Sequence, residues 1–410
     1  MNNSVSFLRY RDVADFRNGL NFSKASYGKG CLLIGVADFK DYFSPQWASL
    51  GEINPADVAK EDDYLKKGDI IFVRSNGNKA LVGRSLYIDR DVKSLFSGFC
   101  IRARPKTGDF HPLFLAYFSR TKHFSSSINS VAGTNINNLN QDILGNVQIP
   151  LYSKEVQKSI IAVLSSIDKK IELNNSINAE LETMAKILYD YWFVQFDFPN
   201  ANGKPYKSSG GKLVYNPIVK REIPIDWEVK NLSQIANITM GQSPVGESYN
   251  EDGNGTLFFQ GSTDFGWLFP TPRKYTTLPA RMAKKGDILL SVRAPVGDMN
   301  IANANCCIGR GLAALNSKSG SDGFLFYVMK YFKQVFDRRN SEGTTFGSIT
   351  KDDLHSLKVI YPQQKILKQY DNIVSEYNKM IFLRSLESRD LIKVRDWLLP
   401  MLMNGQVTVR

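Results

Sequence analysis

Two stretches of this chain are punctuated alike: GTNINNLNQDILGNVQI at Gly133–Ile149 and GTTFGSITKDDLHSLKV at Gly343–Val359. Identity is low, but the order of residue types is the same. Each opens on Gly-Thr and reaches Leu139 or Ile349, then Asn140 or Thr350. Asp142 or Asp352 and Leu144 or Leu354 follow, and each ends on a β-branched residue. The two lie 210 residues apart in a chain of 410. The same offset continues without a gap: Val156 falls on Ile366, Val163 on Ile373, Ile171 on Ile381, Leu181 on Leu391 and Leu188 on Leu398.

Upstream the match continues with small gaps. LKKGDIIFVRS at Leu65–Ser75 echoes AKKGDILLSVRA at Ala283–Ala294, and IGVADF at Ile34–Phe39 echoes QGSTDF at Gln260–Phe265. The chain is therefore two copies of one unit, a mixed domain followed by a long helix. Two copies at so long a period do not make a solenoid. Short apolar runs bounded by turn residues read as strands. HPLFLAYFSRTKHF and GFLFYVMKYFKQVFDRR read as amphipathic helices. The class is α+β. The expected divisions are a first domain over 1–152, a helix over 153–195, an ordered but irregular crossing over 196–224, a second domain over 225–362 and a helix over 363–404. In the crossing, Phe196, Phe198, Tyr206 and Tyr215 are available to pin it down.

The long helices follow from spacing. Val156, Ile160, Val163, Ile167, Ile171, Leu181 and Leu188 recur mostly at three or four, as do Ile366, Ile373, Ile381, Leu391 and Leu398. About forty residues make a rod of roughly 60 Å. One apolar seam per helix requires a partner, and the other copy is the natural one. Pseudo-two-fold symmetry would pair them as an antiparallel coiled coil. Asn174 and Arg384 interrupt the seams at equivalent places and are expected to favour one register.

Fifty-two Lys and Arg against 40 Asp and Glu give a net charge of +12, which favours an anionic partner. No apolar run is long enough to span a membrane. The start, MNNSVSFLRYRDVADF, is charged where a signal peptide needs apolar residues, so a cytoplasmic place is expected. Cys31, Cys100, Cys306 and Cys307 form no CxxC pair, and His111, His123 and His355 are scattered, so no metal site is expected. No phosphate loop, nucleophile elbow or HExxH occurs, and NPIV at Asn216–Val219 lacks the second proline and the aromatic residue of an adenine methyltransferase. The acids of KEDDYLKK at Lys60–Lys67 read as a solvated turn rather than a metal nuclease.

The loops after the two GDI runs carry the residues that suit nucleic acid. The first offers Arg74, Asn76, Asn78, Lys79 and Arg84, and the second offers Arg293, Asn303, Asn305 and Arg310. Arginine and lysine suit guanine edges, and asparagine suits adenine. Arg273 and Lys274, with Thr134, Asn135, Thr344 and Thr345 at the Gly-Thr ends, complete the expected DNA-binding set.

In order and duplication, the KKGDI segments, the Gly-Thr segments leading into long helices, and the crossing FDFPNANGKPYKSSGGKLVYN resemble the specificity subunit of a type I restriction–modification system. The resemblance covers both copies. It implies two target recognition domains separated by a helical spacer, each reading one half of a split site in double-stranded DNA. It implies docking of two methyltransferase subunits and of restriction–translocase subunits, with no membrane partner. It places no cofactor on this chain: S-adenosylmethionine goes with the methyltransferase, and ATP and magnesium with the motor subunits. The chain itself is then not an enzyme. The competing readings are a self-sufficient nuclease or methyltransferase, and a structural coiled-coil nucleic-acid-binding protein.

Overall fold

The computed structural model describes residues 6–23, 26–40, 42–55, 58–106, 108–132, 138–341 and 348–409. Its contacts divide the chain into two compact units, one of residues 1–173 with 387–410, the other of residues 174–386.

In the first unit β1 (Ser6–Arg9) leads through one turn, α1 (Tyr10–Val13), into β2 (Ala14–Asn18). β3 (Tyr27–Ile34), β4 (Gly51–Ile53), β5 (Ile70–Val73), β6 (Ser85–Tyr87), β7 (Ser94–Phe96) and β8 (Cys100–Pro105) follow. Then come α2 (Pro112–Phe118), α3 (Lys122–Ala132), α4 (Gln141–Gly145) and β9 (Gln148–Leu151). One sheet has the order β2-β8-β5-β6, all antiparallel. A second has the order β4-β3-β7, with β3 and β7 parallel. β9 returns antiparallel to β1, Leu8 opposite Ile149. α5 (Lys154–Tyr189) begins in this unit and ends in the other.

The second unit opens with a hairpin of β10 (Leu213–Asn216) and β11 (Arg221–Pro224). β12 (Glu228–Asn231), α6 (Leu232–Ile235), β13 (Ala236–Met240), β14 (Tyr249–Asn250), β15 (Thr256–Phe259), β16 (Lys274–Thr276) and β17 (Met282–Ala283) follow. β18 (Ile288–Ser291), β19 (Met299–Ile301), β20 (Cys306–Ile308), β21 (Leu312–Ser317), α7 (Asp322–Ser341), α8 (Lys351–Ser356), β22 (Lys358–Tyr361) and α9 (Gln364–Met403) complete the chain. The sheet order β13-β21-β18-β19 repeats that of the first unit strand for strand. The parallel pair β15–β20 repeats β3–β7, and β12–β22 repeats β1–β9.

Local chemistry explains the repeated Lys-Lys-Gly-Asp. In both units the Asp N–H donates to the first Lys carbonyl at 3.0 Å, Asp69 to Lys66 and Asp287 to Lys284. Gly68 and Gly286 sit at φ 95° and 96°, the left-handed position of a type II turn. Each carboxylate then accepts the backbone N–H of the same Lys at 2.8 Å. The turn delivers the chain into β5 or β18, whose residues are all buried. These are interior strands of their sheets, which is why they read as almost wholly apolar runs, Ser291 being the one polar residue in them.

The structure corrects four expectations. HPLFLAYFSRTKHF is two helices, because the Thr121 hydroxyl accepts the Phe124 N–H at 3.1 Å and starts a new one. The crossing is less irregular than expected, since it holds the β10–β11 hairpin. Phe196 and Phe198 are buried there, and Phe198 stacks on Tyr206 at 4.6 Å and Trp227 at 4.9 Å, but Tyr215 is exposed. KEDD is not wholly solvated: Asp63 is buried and accepts from Arg17 Nε at 2.7 Å.

The helical seams are also out of phase in places. Ile160, Leu181, Ile366 and Ile381 are buried, but Val156 and Ile373 are exposed. Val163, Ile167, Ile171, Leu188, Leu391 and Leu398 are half-buried. Gln157, Leu164 and Ala185 take the inner places on α5, and Leu367, Tyr370 and Val374 on α9. Gln157 goes inside because it satisfies backbone groups. It accepts from His111 N at 2.9 Å and donates to the carbonyls of Asp109 and Tyr152 at 2.6 and 2.9 Å. Within each unit the helix segments run antiparallel. In the first, Arg395 meets Asp168 and Lys170 faces Glu387. In the second, Tyr370 donates to the Ala185 carbonyl and Asn178 to Ser385.

Candidate nucleic-acid interface

In each unit two segments far apart in sequence converge at the end of an interior strand. After β5, Ser75 bridges Asn138, and Leu139 N–H donates to the Arg74 carbonyl at 2.8 Å. After β18, Arg293 bridges Ser348, and Ile349 N–H donates to the Val292 carbonyl at 2.8 Å. The residues just beyond each Gly-Thr segment thus lie against the loop that follows each GDI strand. Thr134, Asn135, Thr344 and Thr345 themselves lie outside the described residues.

The strand register also decides which side chains are equivalent. Ser75 and Arg293 occupy one place, and Arg74 and Val292 the place before it. Neighbours on an extended chain point to opposite sides. The two arginines, each the first after its GDI run, are therefore not counterparts. Val292 is buried, as its place requires. Arg74 puts a half-buried guanidinium there that has no hydrogen bond or ion pair with any described residue. Arg293 is exposed, and its carbonyl accepts from the Ser291 hydroxyl at 2.8 Å. It lines a cleft of about 280 Å³ with Ser262, Thr263 and Asp298. Gly311 lines the same cleft, and Arg310, the residue before it, is exposed.

Several other candidates have structural work. Asn76 Oδ1 accepts the Asn78 N–H at 2.7 Å, and Asn78 Oδ1 accepts the Ala80 N–H at 3.1 Å. Both close turns with their own side chains. Lys79 lies in the short helix Lys79–Leu81, and its side chain is outside the described part. Asn303 donates to the Pro270 carbonyl at 3.1 Å, and Asn305 accepts from Lys285 N at 2.9 Å. Each braces a loop. Arg273 is held by Asp264 at 2.6 Å, and that hydrogen bond raises the guanidinium's pKa further above its ordinary value. Lys274 belongs to β16.

Sequence reading missed a second concavity. A cleft of about 360 Å³ in the first unit is lined by Lys40, Arg84, Arg120, Ser125 and Asn129. Of these only Arg84 stood in the expected set. Residues 40, 84 and 120 are too far apart in the chain to form a motif. No group of three or more His, Cys, Asp or Glu that could hold a metal occurs among the described residues. No helix among them is long and apolar enough to cross a membrane.

The sequence profile described as "Type I restriction modification DNA specificity domain" matches residues 5–183 and 224–381. The chain belongs to the type I restriction–modification DNA specificity family. The two matches coincide with the two copies of the fold. A chain of Methanocaldococcus jannaschii, provisionally assigned as the MjaX specificity subunit of a type I restriction enzyme, is 32% identical over 88% of this chain and 82% of its own. The HindI specificity subunit of Haemophilus influenzae is 23% identical over 84% and 87%. Among solved structures, the type I restriction–modification S subunit of M. genitalium superposes with a TM-score of 0.58 at 17% identity, covering 98% of this chain and 97% of that one. At that identity the likeness speaks for the fold. Membership makes the chain a specificity subunit of a restriction system, devoted to recognising DNA sequence.

Proposed function

We propose that this specificity subunit reads an asymmetric, bipartite site in double-stranded DNA, one half with each unit, and catalyses nothing itself. The observation that carries this reading is the repeated junction at the end of the interior strand. The backbone arrangement is the same twice, while the side chains presented differ: Ser75 in one unit, Arg293 in the other. A common frame with different side chains is what two different half-sites require. The subunit then docks two adenine methyltransferase subunits and the restriction–translocase subunits. S-adenosylmethionine works in the former, ATP and magnesium in the latter.

The test is to map methylated adenines in cells carrying this chain with its methyltransferase partner, then to exchange residues 1–152 for those of another specificity subunit. The expected result is a split motif in which one half changes and the other stays. A continuous motif, or a change in both halves, overturns the reading. Cleavage or methylation of DNA by the purified chain alone would favour a self-sufficient enzyme instead.

A further inference from the structure

We propose that Phe99 reads a thymine methyl group in the half-site bound by the first unit, and that the turn carrying it determines specificity in both units. This rests on the reading of the chain as a bipartite duplex reader. It adds which side chain of the first unit meets a base, and which base.

Large apolar side chains stand singly on many protein surfaces, so the place of Phe99, more than its exposure, carries the inference. The ring is 58% exposed. Phe99 is the third residue of the turn from β7 into β8, which the Cys100 N–H closes by donating to the Ser97 carbonyl at 2.8 Å. The Phe99 carbonyl accepts the Arg74 and Ser75 N–H groups at 2.8 and 3.4 Å. The turn therefore abuts the junction where Ser75 bridges Asn138. It is held from the other side as well. The Phe99 N–H donates to the Ser97 hydroxyl oxygen at 3.3 Å, and the Gly98 N–H to the Leu20 carbonyl at 2.7 Å. A ring carried on so fixed a backbone loses little freedom on binding.

The second unit builds the same turn with other residues at its tip. The Leu312 N–H donates to the Gly309 carbonyl at 3.0 Å, and the Gly311 carbonyl accepts the Val292 N–H at 2.9 Å. Gly19 and Gly241 donate to the Cys100 and Leu312 carbonyls at 3.0 and 2.9 Å. Gly98-Phe99 and Arg310-Gly311 thus hold the same two places. A Cβ on Gly311 would lie 2.7 Å from the Gln260 carbonyl oxygen, so the second unit has no room for a ring there. One turn presents a phenyl ring in the first unit and an exposed arginine in the second.

The two tips suit two bases. In the major groove thymine alone offers a methyl group, which a phenyl ring matches, and guanine offers the acceptors that arginine matches. The neighbours of the Phe99 turn are polar: Ser75, Ser97, and the exposed Asn21, whose side chain lies beside Gly98. One ring in polar surroundings is far smaller than the surface a protein partner needs. It is enough for one methyl group.

The experiment measures binding of the full-length chain to labelled duplexes carrying its methylation motif, with each thymine of the first unit's half-site replaced in turn by uracil. Uracil pairs as thymine does and lacks only the methyl group. At one position the wild-type chain is expected to lose about fourfold in affinity, the worth of one buried methyl group. Phe99→Ala should bind the unmodified motif more weakly and ignore that substitution, while Phe99→Leu keeps part of the response. Thermal melts check that both variants fold. Uracil in the other half-site should affect wild type and variants alike. An undiminished response in Phe99→Ala, or no response at any thymine in the wild type, overturns the thymine contact and leaves the bipartite reading standing. A uniform loss on all duplexes in Phe99→Ala, with a fluorescent base analogue unstacking when the wild type binds, makes the ring a wedge between bases and overturns the contact too. Unchanged DNA binding with weaker capture of the methyltransferase subunit assigns the ring to a protein partner and likewise overturns it. A wild-type chain that does not distinguish the motif from a scrambled duplex sinks the bipartite reading, and this one with it.

Discussion

Arg395 Nη1 donates to Asp168 Oδ1 at 2.9 Å, within the first unit. The same carboxylate accepts the Tyr117 hydroxyl at 2.7 Å. One group therefore ties α9, α5 and α2 together. Burial, and then the Asp168 charge, push the Tyr117 phenol well above its ordinary pKa. The pair keeps about a fifth of its side-chain surface exposed, 23% and 20%. Asp168→Asn is expected to destabilise the first unit by about 2 kcal/mol, in the range of a charged hydrogen bond. Chemical denaturation of Asp168→Asn, Arg395→Met and the double variant checks this. Simple additivity of the two losses would show that the pair is not coupled.

The Lys-Lys-Gly-Asp turns make a second prediction. Gly68 and Gly286 occupy the left-handed region, where a Cβ costs about 1–2 kcal/mol. Gly68→Ala and Gly286→Ala should each lower the unfolding free energy by that amount. Gly77→Ala, at a position with open space and no such φ, should be nearly neutral. Equal effects at all three would remove the turn as the reason for the repeated glycine.

Asp371 gives stability a pH dependence. Its carboxyl accepts the Phe324 N–H at 3.1 Å at the start of α7, and burial raises its pKa from 3.8 to about 6. Asp322 beside it adds to the rise and is itself raised by burial. Between about 4 and 6 the folded chain binds more protons than the unfolded one, so this group lowers stability as pH rises. The full cost is present above pH 6. Asp371→Asn keeps the acceptor and removes the charge. It should raise stability at pH 7 by on the order of 1–2 kcal/mol and change little at pH 4. A gain of the same size at both pH values would contradict this origin.

The polar seam of the second unit is expected to cost stability. Asn178 is buried and donates to Ser385 at 3.3 Å, while its Oδ1 has no partner among the described residues. Asn178→Leu should raise the unfolding free energy by about 1 kcal/mol, because a well-packed apolar group replaces a half-satisfied one. A lower midpoint would show that the amide has a compensating partner.

Arg293 and Arg74 should behave differently, since they are not counterparts. If Arg293 reads a base, Arg293→Ala costs about 1–3 kcal/mol of DNA affinity and relaxes one position of one half-site. Ser75→Arg, placed at the counterpart of Arg293, should alter the other half-site. Binding to a library of duplexes reads both. A uniform loss across all sequences for Arg293→Ala would make it a phosphate contact.

The sequence alone determined the duplication, the two long helices, the turn before each interior strand and the start of α8. At α8 the Thr350 hydroxyl accepts the Asp353 N–H at 3.2 Å, and Asn140 Oδ1 caps α4 in the same way at 2.8 Å. These features depend on neighbours within a few residues, where spacing and residue type carry the physics. The tertiary structure alone decided which face each side chain takes. A one-residue slip on a strand turns a side chain to the other side, so Arg74 and Arg293, each the first arginine after its GDI run, do not take the same place. Polar residues such as Gln157 entered the seam because backbone groups folded nearby needed partners, and Val156 was left outside. The cleft of Lys40, Arg84 and Arg120 is assembled from three distant segments, and no local pattern could have announced it.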